Sequence, residues 1–208
     1  MKPSEHAPIS ASVFAELIDA AGFPAGTFNL VHGFGVQVGR ALAQHPDIQM
    51  ISFTGSTRAG KDVTKNAADD IKRVTLELGG KSPNIVFADS DLEERIPASV
   101  YECFYNSGQS CDAPTRLIVE RSCYGQVVQL AEQAAKSQEV KDPRLEGDHI
   151  GPLFDEIQYH RVQGMIQVGI DEGATLLVGG LGRPEAVSYT HLRAHETVLD
   201  LVCRLLLE

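Results

Sequence analysis

"ISFTGSTRAGKDVTKNAAD", residues 51–69, followed by "VTLEL" at 74–78, is the stretch that decides the fold. Its first part is apolar and β-rich and is closed by Gly55. Ser56 or Thr57 then stands where a helix N-cap is wanted, because a hydroxyl accepts from a free N–H of the first turn. A helix over the next residues leads to a second apolar strand. Two strands joined by a helix run in the same direction, so the segment reads as one parallel crossover.

The alternation continues on both sides. Upstream, "ASVFAELIDAAGFPAG" reads as an amphipathic helix stopped at Gly22 and Pro24, "TFNLV" as a short strand, and "QVGRALAQHP" as a helix ended by Pro46. Downstream, "NIVF" is a strand, and a helix runs from Asp91 to Asn106 with Asp89, Ser90 or Asp91 as its cap. "RLIVE" is a strand, "YGQVVQLAEQAAK" and "DEIQYHRVQGMIQVGIDEG" are helices, and "ATLLVGG" is a closing strand. The polar stretch from Lys136 to Pro152 is a surface loop. The fold class expected is α/β, with parallel sheets carrying helices on both faces. After Arg183 the texture changes: glycine disappears and Val198, Leu199, Val202, Leu205 and Leu206 form a stripe at helical spacing. This is either a terminal amphipathic helix or a foreign tail.

Composition narrows the classes of function. The 208 residues are 43% hydrophobic, enough for one large or two small cores. The formal net charge of −10 leaves no basic excess to neutralise phosphates, which argues against nucleic acid and anionic membranes as partners. No apolar run reaches membrane-spanning length and the start has no hydrophobic signal core, so a cytoplasmic location is expected. Cys103, Cys111, Cys123 and Cys203 form no C-x-x-C pair and have no histidine at a ligand-like offset. Neither a metal site nor a disulfide framework is expected.

Three places carry candidate chemistry. "FYNSGQSC", Phe104 to Cys111, ends a polar turn in a thiol, where a structural cysteine would have apolar neighbours. In "VTLELGGKSPN", Glu77 interrupts an apolar strand and precedes Gly79 and Gly80. Such a carboxylate is either a solvated strand end or a general base reaching into a cleft. In "ISFTGSTRAGK" a strand, a Gly-Ser-Thr turn and a helix expose backbone amides suited to phosphate. It fits neither a Walker loop nor G-x-G-x-x-G, and "HGFGVQVG" upstream is one residue too long for that fingerprint.

Together, "LELGGKS" and "FYNSGQSC" resemble the two signature motifs of the aldehyde dehydrogenase superfamily. "KPSE", "AGFPAGTFNLVHGFG", "ISFTGST", "APTRLIV" and "GPL" extend the resemblance, in family order, over roughly residues 1–182. It implies Cys111 as nucleophile and Glu77 as the base that activates hydrolytic water. Lys2 and Glu5 hold the adenine ribose, Gly55 and Ser56 face the pyrophosphate, and Gly79 lies beside the nicotinamide. The cofactor implied is NAD, with NADP possible, in a variant Rossmann domain. The substrate implied is a small aldehyde, and the full-length protein a homo-oligomer.

The resemblance also implies an organisation. Residues 1–78 are the C-terminal part of the cofactor domain, 79–182 the start of the catalytic domain, and 183–208 a tail that does not match. The chain is expected to be an internal fragment of an enzyme that oxidises an aldehyde to a carboxylic acid. Two alternatives are a catalytically inactive fragment or interaction piece, and a CoA-acylating semialdehyde dehydrogenase. The glutamate of "LELGGKS" favours hydrolysis over acyl transfer to CoA.

Overall fold

The computed structural model describes residues 1–182; residues 183–208, with the tail and Cys203, lie outside the described residues. The chain divides into two compact units, Met1–Gly79 and Gly80–Glu208. The expected boundary, after Leu78, falls one residue earlier.

The first unit is built on the crossover. Strands β1 (Met50–Gly55) and β2 (Arg73–Leu78) pair in parallel, with Met50 opposite Arg73 and Gly55 opposite Leu78. Helix α1 (Pro8–Ala20) comes first, then a π-helical turn over Gly35–Gly39 that runs into α2 (Arg40–Gln44). Helix α3 (Thr57–Ala67) joins the strands. Its cap is Ser56, whose side chain accepts from the Ala59 N–H at 3.2 Å. Gly60 lets α3 lie close on β2, since a Cβ there would meet Leu78 Cδ2 at 2.8 Å. Arg40 Nη2 on α2 donates to both oxygens of Asp62 on α3, and Gln44 donates to Asn66 one turn on. Buried apolar side chains are small here: Ala11, Ala43 and Ala67.

The second unit has a deeper core. Strands β3 (Pro83–Val86) and β4 (Arg116–Val119) pair in parallel, Pro83 opposite Arg116. Helix α4 (Leu92–Phe104) begins at Asp91, which accepts from Glu94 N–H, and buries Leu92, Ile96, Val100, Cys103 and Phe104. That spacing returns to one face every three or four residues, which makes the stripe. It packs against α5 (Tyr124–Lys136), whose Val127, like Ile96, is fully enclosed. Helix α6 (Glu156–Asp171), capped by Asp155, adds Tyr159, Val162 and Ile166. Among the described residues, no helix is long and apolar enough to cross a membrane.

Two expected strands are absent. Thr27–Val31 forms no ladder; Thr27 N–H turns back to Pro24 O, Val31 N–H donates to Met1 O and the Met1 ammonium to Asn29 O. Ala174–Gly180 is likewise irregular, and Ala174 N–H turns back to the carbonyl of Gly169 in α6. Both stretches have apolar, β-favouring residues, but a strand exists only where a neighbour supplies the other half of its hydrogen bonds.

Candidate active site

The thiol turn begins where α4 ends. Asn106 (φ 51°, ψ 38°) and Ser107 (φ 56°, ψ 33°) are left-handed, and Gly108 follows at φ 65°. The left-handed conformation costs a side-chain-bearing residue roughly 1–2 kcal/mol, least for asparagine, so something must hold it. Gln109 N–H and its side-chain Nε2 both donate to Asn106 O, each at 3.1 Å. Ser107, only 4% exposed, donates from Oγ to Gly151 O at 2.8 Å, and Gln109 Oε1 accepts from Phe154 N–H at 3.1 Å. Cys111 emerges exposed, whereas Cys103 and Cys123 are buried. Only the first of these thiols is open to a ligand. Asp112 beside it is exposed as well.

Glu77 is exposed near the end of β2, opposite Thr54 of β1. Gly55 closes β1 one position further on. Gly55, Ser56, Glu77 and Gly79 thus collect at the carboxyl edge of one parallel pair, the edge where open α/β sheets bind ligands. Ser56 there caps α3.

Lys2 and Glu5 form a separate cluster in the same unit. Lys2 Nζ donates to Pro3 O at 2.6 Å and Gly33 O at 2.9 Å, and lies 3.8 Å from Glu5 Oε1. Glu5 Oε1 accepts from Gly35 N–H at 2.5 Å. Bonds from its own backbone N–H and from that of Gly35, with the nearby Lys2 charge, hold this carboxyl below the usual carboxylate range. Beside it opens a cavity of about 280 Å³ lined by Pro3, Ser4, Glu5, His32, Gly33 and Phe34, among others. A carboxylate has about four acceptor positions and an ammonium three donors, so each keeps capacity for a polyhydroxylated ligand. An exposed Phe34 adds an apolar surface.

Sequence reasoning missed the partners of the thiol turn, Gly151 and Phe154, and the cavity residues His32 and Phe34. "Asn-Ser-Gly" did signal tolerance of positive φ. Nothing in the sequence pointed to a partner more than forty positions away.

The aldehyde dehydrogenase family model matches residues 1–202, which takes in much of the segment beyond Arg183. A 3-succinoylsemialdehyde-pyridine dehydrogenase of a Pseudomonas species is 49% identical over 202 residues, 97% of this chain and 42% of the relative. An aldehyde dehydrogenase of Bartonella henselae has a crystal structure that matches with TM-score 0.89 at 51% identity, covering 94% of this chain and 40% of that one. A mutant aldehyde dehydrogenase C of Pseudomonas syringae, complexed with NAD+ and octanal, matches with TM-score 0.89 at 52% identity and the same coverage. The chain therefore spans about 40% of the length of the relatives it matches.

Proposed function

This chain belongs to the aldehyde dehydrogenase family, and from that premise we propose that the protein carrying it oxidises an aldehyde to a carboxylic acid with NAD. The observation that supports the reading most is the exposed thiol of Cys111 at the end of a left-handed turn, with the chain's other described cysteines buried.

Cys111, as thiolate, adds to the aldehyde carbon to give a thiohemiacetal, with backbone amides near the thiol as donors to the oxyanion. NAD, when bound, supplies the hydride acceptor that turns this adduct into a thioester. Glu77 takes a proton from water, the water attacks the thioester carbonyl, and the C–S bond breaks to release carboxylic acid and free thiol. Lys2 and Glu5 bind the ribose hydroxyls, Gly55 and Ser56 the pyrophosphate, and Gly79 leaves room beside the nicotinamide. NAD-containing relatives favour NAD, and a carboxylate at position 5 repels a 2′-phosphate.

The test uses the protein expressed from its natural reading frame. NADH formation is followed with a panel of aldehydes for wild type and Cys111→Ala. Turnover in wild type that is abolished by the substitution is expected. Turnover that survives Cys111→Ala would overturn the reading.

A further inference from the structure

We infer that Ser107 and Gln109 are positioning residues that latch the thiol turn to the 151–154 segment, so that the placement of Cys111 depends on these two side chains and not on the turn's backbone alone. The inference rests on reading Cys111 as the nucleophile.

The turn's backbone conformation is costly. Two consecutive residues with side chains sit at positive φ, a region that such residues leave when released. Gln109 N–H and Nε2 donate back to Asn106 O, a pair of bonds local to the turn, and the Tyr105 N–H ties its start to Tyr101 O of α4. Two long-range bonds lead out of it, Ser107 Oγ to Gly151 O and Phe154 N–H to Gln109 Oε1, spanning 44 and 45 residues of chain.

The receiving segment is well anchored. Ile150 and Leu153, which flank the Gly151 carbonyl, are buried in the core at 8% and 1% exposure. Ile150 N–H donates to Glu139 O at 2.8 Å, and Ile150 O accepts from Lys141 N–H at 3.3 Å. The latch therefore ties the middle of the turn to the core, as α4 ties its start. Ser107 is the buried polar residue among those described, and its hydroxyl is spent on the Gly151 carbonyl. Cys111 follows four residues later. A thiol that must meet a carbonyl carbon in line loses rate steeply with small displacements.

Ser107→Gly is the informative variant, because glycine takes the left-handed conformation freely yet lacks the hydroxyl. Ser107→Ala, Ser107→Gly and Gln109→Met are compared with wild type in the protein from its natural reading frame. The readouts are the iodoacetamide rate at Cys111, kcat, KM for NAD and Tm. Each variant should lower alkylation and kcat by about tenfold while KM for NAD stays within about twofold. Wild-type alkylation and kcat in Ser107→Gly would overturn the latch, as would a fall in Tm alone with alkylation per folded molecule unchanged. Alkylation needs no turnover, so the latch is decided even if no aldehyde is oxidised. Activity that survives Cys111→Ala would instead sink the nucleophile reading and leave the alkylation result standing.

Discussion

Gly80 lies against Cys111: a first side-chain carbon at position 80 would stand 3.5 Å from the Cys111 carbonyl oxygen. That distance is ordinary van der Waals contact, so one methyl fits and a branch does not. Gly80→Ala should therefore keep the Cys111 alkylation rate within about twofold, whereas Gly80→Leu should displace the turn and lower it about tenfold. At Gly79 a Cβ would meet nothing within 4 Å. Gly79→Ala should leave Tm unchanged yet raise KM for NAD if that space belongs to the cofactor. Titration of NAD binding by fluorescence checks it.

The three described thiols should separate by burial. Brief iodoacetamide treatment followed by peptide mapping should label Cys111 well ahead of Cys103 and Cys123, which are 4% and 7% exposed. Preferential labelling of Cys103 would refute the assignment.

Glu77 acts after the thioester has formed in the proposed sequence. Glu77→Gln should then keep a rapid first turnover of NADH and slow the steady state by about 10²–10⁴-fold. Rapid-mixing kinetics resolves the two phases, and a lost burst would place Glu77 earlier.

Glu5 carries a pH signature. Its carboxyl titrates below its unfolded value because backbone N–H groups, its own and that of Gly35, bind the charged form. For a lowered pKa the gain is complete above the unfolded value and is lost as pH falls through the folded one. Binding of NAD should weaken along that acid arm, and Glu5→Gln should flatten it. The same variant should narrow the preference for NAD over NADP by about tenfold, since one like charge beside the 2′-phosphate is gone. Values of kcat/KM for both cofactors across pH decide the matter.

Stability should depend on where a change falls. Ile96→Ala, in the fully enclosed centre of the second unit, should cost about 2–5 kcal/mol. Ser56→Ala removes the α3 cap and should cost about 1 kcal/mol. Urea titration measures both.

Local chemistry was legible in the sequence. The β1–α3–β2 crossover follows from apolar runs and a capping serine, and Asp91 and Asp155 start their helices because a short carboxylate satisfies a free N–H wherever a helix begins. The "Asn-Ser-Gly" before the thiol announced a turn. These features depend on residues a few positions apart, so their information lies within the window a sequence displays. Thr27–Val31 and Ala174–Gly180 looked like strands for the same local reasons, yet neither has a neighbour to pair with among the described residues. The latch of Ser107 on Gly151, the placing of Gly80 against Cys111 and the cavity beside Glu5 needed the tertiary structure. Each joins residues about thirty or more positions apart, and in the second unit which distant groups meet is set by how α4, α5 and α6 pack, not by the residues that meet.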